Sequence, residues 1–278
     1  MRLMSGLTDD LNRQRRVLLI DIETAPTLAW MWSQWKANIV ATERDWFIMS
    51  YAYKWLGEDA VEFVSLPDWK KWRPDSDDDL ALTKKLWRLL DAANVVIAHN
   101  GDKFDIKRIQ SRFLKHGLGP TSTFQSIDTL KVYRKHFGLY SNSLKDIARY
   151  LHLDEGKLSG GGFGLWRDCM RGDEQAWQRM REYNVRDVEV LEAVYLRVQP
   201  WVNRTRPNSQ VNLAHFAAEG ANVCPSCGAT DTLVRAGVYR TGVSEFPELW
   251  CKPKLGGCGA RPRLRYRNRQ YGGGVKAR

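Results

Sequence analysis

The sequence predicts an α/β fold with a small cysteine-bearing appendage, and three observations carry that prediction. Val17-Leu18-Leu19-Ile20 is a run of four branched apolar residues, which reads as a strand buried on both faces of a sheet. Residues 94–115 read as a short buried strand (95–98), a polar turn holding Gly101 and a helix from about Phe104, the alternation that builds layered sheets. Four of the five cysteines, Cys224, Cys227, Cys251 and Cys258, fall in one 35-residue window near the C-terminus.

The first strand ends in two acids, Asp21 and Glu23. Side chains alternate along a strand, so both carboxylates leave the same face a few ångströms apart and repel unless a cation sits between them. Oxygen-only ligands select hard Mg²⁺ or Mn²⁺, commonly held by one or two carboxylates plus substrate phosphate. The stretch therefore points to metal-dependent phosphoryl transfer, against the plainer reading of a strand end meeting solvent or arginines.

At 278 residues the chain accommodates one large domain and a small appendage. No apolar run approaches the roughly 20 residues that span a bilayer, and the first residues lack the apolar core of a signal peptide, so no membrane association and a cytoplasmic location are expected. The net charge of +11 is unevenly spread. Residues 1–200 hold 30 basic and 28 acidic side chains, whereas residues 201–278 hold 13 and 4. A basic block beside an acidic metal site fits a polyanionic partner, most simply nucleic acid.

In chain order, residues 1–16 read as a loose basic lead-in, and Pro26 ends the first strand. Trp30, Trp32, Trp35, Trp46 and Trp55 crowd residues 28–56; those before 46 either fill the core or flank a nucleobase. Residues 47–55 and 61–65 read as strands separated by a Gly57-Glu58-Asp59 turn. Asp77, Asp78 and Asp79 read as N-terminal caps of a helix over 80–90, not as metal ligands.

Asp105 falls in the first turn of the helix that follows the 95–98 strand, where a carboxylate reaches toward Asp21 across the strands' carboxyl ends. Residues 126–130 read as an edge strand entering another helix, and residues 143–151 as an amphipathic helix starting at Ser143. Gly156, Gly160, Gly161, Gly162 and Gly164 read as a flexible loop, with no helix following at phosphate-loop spacing. A last helix over 173–198 carries the stripe Trp177, Met180, Val188, Leu191, Tyr195 and Val198, with Tyr183 and Asp187 flanking it one turn apart.

Three weak motifs thus occur in order: Asp21-Ile22-Glu23-Thr24, then His99-Asn100-Gly101-Asp102-Lys103-Phe104-Asp105, then Tyr183-Asn184-Val185-Arg186-Asp187. Over residues 15–200 the chain resembles the DEDD superfamily of RNase H-like 3′-5′ exonucleases. Glu182 stands where the histidine variant of the third motif would place histidine, so the resemblance is to the tyrosine subclass. Residues 46–57, with Lys54-Trp55-Leu56-Gly57, also look like stand-alone exonucleases of bacteriophages, which would place the protein in the cytoplasm of a bacterial host.

The resemblance implies an RNase H-like mixed sheet flanked by helices and a two-metal site, with Mg²⁺ or Mn²⁺ as the ions. In that scheme Asp21 bridges both ions, Glu23 and Asp187 complete the water-activating position and Asp105 anchors the second ion. Tyr183, with an ordinary pKa near 10, orients the water instead of deprotonating it. Asn100 and Phe104 are candidate nucleic-acid contacts.

Residues 201–222 read as a linker and residues 223–260 as a zinc ribbon. Cys224-Pro225-Ser226-Cys227-Gly228 has the form of a first knuckle, while Cys251 and Cys258 have six residues between them in an expanded second one. One structural Zn²⁺ is expected, because a segment this small, with two strands over 232–250, lacks a core of its own. Cys169 is expected to be buried and inert. In the tail (261–278), Arg261, Arg263, Arg265, Arg267 and Arg269 alternate, so on a strand they would form one cationic face for phosphates.

The expected function is 3′-5′ exonucleolytic hydrolysis of single-stranded DNA to 5′-mononucleotides, with a replication or recombination protein as a further partner. The alternatives are an exoribonuclease, or a nucleic-acid-binding accessory subunit that keeps the fold without turnover.

Overall fold

A computed structural model describes residues 16–33, 35, 38–153, 162–202, 212–216, 222–241, 244–264 and 269–270. Residues 1–15, most of the linker, Gly156, Gly160, Gly161, Arg265 and Arg267 lie outside the described residues, and of Arg269 only the backbone is described. The chain divides into two compact units, one comprising residues 16–134 and 138–195 and the other including the described residues from 196 onward.

The first unit is built on a five-stranded mixed sheet. Its strands are β1 (Val17–Thr24), β4 (Ile48–Trp55), β5 (Glu62–Ser65), β6 (Val95–Ala98) and β7 (Gln125–Asp128), in the order β5-β4-β1-β6-β7. Strand β1 is central, antiparallel to β4 and parallel to β6. Around the sheet lie α1 (Leu80–Asp91), α2 (Asp105–Lys115), α3 (Thr129–His136), α4 (Leu144–Tyr150), α5 (Gly162–Met170) and α6 (Glu174–Val202). This is the RNase H-like mixed sheet flanked by helices that the motifs imply.

Alternation along β1 decides which helix covers which face. Leu18, Ile20 and Ile22 enter one buried cluster with Leu82 and Leu86 of α1 and Ile109 and Phe113 of α2. The odd-numbered face lies against α6: Lys54, opposite Leu19, is bonded at 2.6 Å to Glu192, and Asn184 is bonded to Asp21. Each fully buried Leu or Ile contributes about 1.5–3 kcal/mol, so the apolar part of β1 holds the strand while its polar end is carried into the same interior. The predicted α6 stripe is the buried one, from Trp177 and Met180 through Val198.

Three expectations are corrected. A two-stranded ribbon, β2 (Leu28–Met31) with β3 (Ile39–Arg44), occupies the tryptophan-rich stretch, and Trp30, Trp32 and Trp35 are 65%, 90% and 93% exposed, so they do not fill the core. Asp79 occupies the N-cap position of α1, but its side chain is fully buried and makes no capping bond; Asp78 before it accepts from the Leu80 amide at 3.0 Å. Asp79 instead accepts from Arg112 Nε at 2.7 Å and the Ile48 amide at 2.9 Å, because a buried guanidinium needs a bidentate anion. Gly162 and Gly164 belong to helix α5, not to a loop; Gly162 sits at φ 60°, the left-handed region open to glycine, where the helix begins.

The second unit contains the antiparallel pair β8 (Leu233–Arg240) and β9 (Ser244–Cys251), with the two-residue β10 (Arg269–Gln270) beside β9. The Cys224–Cys227 turn closes through Gly228 N donating to Cys224 O at 2.8 Å and Cys224 N donating to Ala229 O at 2.9 Å. The longer second spacing is occupied by a 3-10 turn, Pro253–Leu255. Gly257 follows it, where a Cβ would come within 2.6 Å of Cys251 Sγ, so the chain passes against that sulfur only as glycine.

Candidate functional site

The polar end of β1 meets α6 in a cluster of carboxylates. Asp21, Glu23 and Asp187 each offer an oxygen, and those atoms lie within 4.8 Å of one another. β1 supplies two of them from one face, and α6 supplies Asp187 one turn beyond Tyr183.

Burial and mutual repulsion leave Asp21 and Glu23 reluctant to ionise. Burial, then the charges of Glu23, Asp105 and Asp187, push Asp21 well above the usual carboxylate range. Burial, then Asp187, raises Glu23 to about 8. Burial first, then the charges of Asp187 and Glu23, also raise the Tyr183 phenol, so at neutral pH it is a hydrogen-bond donor and not a base. Oxygen donors this close fit a hard divalent cation that would reverse these shifts.

Asp105 stands apart from the triad. It is buried in the first turn of α2, where its Oδ1 accepts from the Ile22 amide at 3.2 Å, and burial raises it to about 7. Its charge still reaches Asp21 and Glu23. Asn100, at φ 67°, donates its amide to Asp128 Oδ1 at 2.9 Å, and Gly101 follows where a Cβ would meet Ala98 Cβ at 2.5 Å. This tight turn brings α2 back over β6 and delivers Asp105 to β1. Phe104, just ahead of α2, is about one-third exposed beneath the Arg108 guanidinium, 5.3 Å from its ring centre.

Two residues at the site escaped the sequence reading. Asn184, fully buried, donates Nδ2–H to Asp21 Oδ2 at 2.7 Å and accepts from the Ser50 hydroxyl at 3.3 Å. Trp166 of α5 donates Nε1–H to Glu23 Oε2 at 3.1 Å and sets its ring edge-on to Tyr183, with centres 5.9 Å apart. Asn184 lies inside the third motif and could have been read there; Trp166 is far from every motif and left no signal.

The RNase H superfamily model matches residues 59–199. The chain belongs to the RNase H superfamily. The matched span contains Asp105, Tyr183 and Asp187, and begins after β1. No curated protein matches this RNase H superfamily chain. Among solved structures, a family B DNA polymerase from the hyperthermophilic archaeon Pyrobaculum calidifontis is similar at 14% identity and a TM-score of 0.47. The similarity covers 83% of this chain and 31% of that one. Among the described residues, no helix is long and apolar enough to cross a membrane.

In the second unit the ligating atoms of Cys224, Cys227, Cys251 and Cys258 also lie within 4.8 Å of one another, compatible with a zinc ribbon. Hydrogen bonds from Cys224 and Cys258 hold Cys227 down to about 2, and its bond to Cys227 pushes Cys224 up to about 12. Cys169, fully buried on α5, has a thiol that burial pushes up to about 12.

The described tail arginines lie on the unit's own aromatic rings. Arg263 covers Phe246 at 3.8 Å, and Arg261 lies over Trp250 and pairs with Glu248 at 3.3 Å.

Proposed function

We propose that this RNase H superfamily chain is a 3′-5′ exonuclease of the tyrosine DEDD subclass, acting on single-stranded DNA with Mg²⁺ or Mn²⁺, and similar to the stand-alone bacteriophage enzymes. The observation that supports it best is the triad of Asp21, Glu23 and Asp187, three half-buried carboxylates with mutually close oxygens, reached by the Tyr183 helix.

Asp21, Glu23 and Asp187 are the residues that would hold the ions, with Asp105 as an outlying fourth. When bound, two divalent ions acidify water and neutralise charge on the leaving 3′ oxygen. Asp21 and Glu23 leave β1 side by side, and Asn184 and Trp166 each occupy one of their oxygens. Tyr183 keeps its proton and presents an O–H that orients the attacking water. The apolar walls beneath β1 exclude bulk water, which strengthens each of these interactions.

The four cysteines take one structural Zn²⁺. In this reading residues 17–200 form the catalytic domain, residues 201–222 a linker, residues 223–260 the ribbon and residues 261–278 a basic tail that holds the strand.

Hydrolysis of 3′-labelled and 5′-labelled single strands of DNA and RNA, with and without Mg²⁺ and with Asp21→Ala as control, tests the proposal. Metal-dependent mononucleotide release from the 3′ end of DNA is the expected result. Release from the 5′ end, internal cleavage, or equal activity of Asp21→Ala would overturn it.

A further inference from the structure

We infer that Trp166 is a positioning residue of the carboxylate site, fixing which oxygen of Glu23 is left for a divalent cation and holding the ring of Tyr183 beside it. The inference rests on the reading of that site as a metal centre, and its test separates the two.

Trp166 comes from α5, an element that supplies no other residue to the site, yet it touches a site residue from β1 and another from α6. Its Nε1–H donates to Glu23 Oε2 at 3.1 Å, and its ring stands at 72° to that of Tyr183, with centres 5.9 Å apart. An indole nitrogen is a donor only, so it can never compete for a cation; it can only occupy one lone pair of the carboxylate. Glu23 carries three rotatable bonds and would otherwise swing either oxygen toward the ion. With one lone pair of Oε2 taken by the indole, Oε1 is the oxygen left with both lone pairs for an ion.

The pairing is not what this core imposes on its tryptophans by default. Trp72 and Trp177 lie in the same region of apolar packing, edge-on to each other, and their buried Nε1–H groups have no protein acceptor. Trp87 spends its N–H on the Gly119 carbonyl at 2.7 Å. An apolar core tolerates an unpaired indole N–H in two cases here, so aiming that of Trp166 at the half-buried Glu23 carboxylate reflects the needs of the carboxylate. Asn184 does the same for Asp21, holding Oδ2 at 2.7 Å. Both clamps are neutral. A lysine or arginine in either place would cancel the negative charge that a cation needs, whereas an amide and an indole orient the acids and leave their charge intact. Outer-shell donors of this kind typically change metal affinity about tenfold to a hundredfold when removed.

The test is Trp166→Phe, which keeps an aromatic ring against Tyr183 and deletes the N–H. Binding of Mn²⁺ is measured by electron paramagnetic resonance of the free ion, with no substrate present, alongside the Mg²⁺ concentration that half-saturates hydrolysis. Mn²⁺ affinity is expected to fall about tenfold, Mg²⁺ dependence to shift further because that ion tolerates less distortion, and KM for the oligonucleotide to stay within about twofold. Trp166→His, which restores an N–H donor, should recover part of the loss. Wild-type Mn²⁺ affinity in a folded Trp166→Phe protein would overturn the inference. Should Trp166→Phe fail to fold, the ¹⁵N-indole resonance of Trp166 in the native protein decides: it shifts on Glu23→Gln if the contact exists in solution, and an unmoved resonance overturns the inference. A wild-type protein that binds Mn²⁺ through this clamp but hydrolyses nothing would sink the nuclease reading and leave the positioning role standing.

Discussion

The two clusters of metal-ligating side chains sit in opposite relations to the structures around them. Asp21, Glu23 and Asp187 are guests in a large apolar core that is complete without them: Leu18, Ile20 and Ile22 hold β1 against α1 and α2 on the opposite face. In the second unit the cysteines are part of the packing: among the described residues, one buried cluster consists of Cys224, Cys251 and Ala260 with Cys227, Leu233 and Cys258 against it. A cation in the first case would relieve repulsion in a preformed scaffold. In the second it would bind together a small buried cluster made largely of its own ligands. In the proposed reading, one set of ligands would serve chemistry at the expense of stability, and the other would serve stability alone.

The largest effect should come from breaking the sulfur cluster. Zinc in small Cys-rich modules is worth about 10–16 kcal/mol of folding free energy, far more than so small a unit gains from apolar burial. Chelation or Cys224→Ser should therefore erase amide-exchange protection across β8 and β9 while leaving it intact across β1, β4 and β6; Cys169→Ser should do neither. Metal analysis should find one zinc per chain, and a zinc-free protein with a protected ribbon would end the structural assignment.

Next in size is the carboxylate cluster, where function and stability should move in opposite directions. Asp21→Ala or Asp187→Ala should reduce hydrolysis to background while the metal-free melting temperature stays equal or rises, because a repelling charge is gone. The pH dependence has a defined sign. Glu23 is raised from 4.5 to about 8 in the folded chain, so the native state binds more protons than the unfolded one between those values. Metal-free stability should fall as pH rises through that window, and saturating Mg²⁺ should flatten the fall. Urea melts from pH 4.5 to pH 8, with and without the ion, give the answer; a stability that rises across the window without metal would contradict it.

Tyr183→Phe isolates a smaller term. The ring keeps its edge contact with Trp166 and loses only the hydroxyl, so turnover should fall about ten- to a thousandfold with the fold unchanged. Single-turnover rates of the purified variant decide whether that hydroxyl matters at all.

The smallest expected change concerns Arg261 and Arg263. Each lies on an aromatic ring of its own unit, so replacing one by alanine should remove at most one phosphate contact and lower the log-log salt slope of single-strand binding by about 0.7. Identical slopes for both variants and the wild type would assign these arginines to packing.

The sequence alone determined the elements whose pattern is local. A run of branched apolar residues makes β1, the period-two rule puts Asp21 and Glu23 on one side, and the α6 stripe with Tyr183 and Asp187 at its edge follows from helical spacing. The strand, turn and helix around Gly101 were legible for the same reason. Tertiary structure alone decided three other things. It turned Asp79 inward onto Arg112, 33 residues away, where the local signal was a helix cap. It left Trp30 on a two-stranded ribbon, and Trp32 and Trp35 between its strands, exposed to solvent, because hydrophobicity records what burial would gain and not whether a partner surface exists. And it brought Trp166 to Glu23 across 143 residues, a contact that no periodicity encodes, since a hydrogen bond between distant elements depends on how helices and sheet pack and leaves no spacing in the chain.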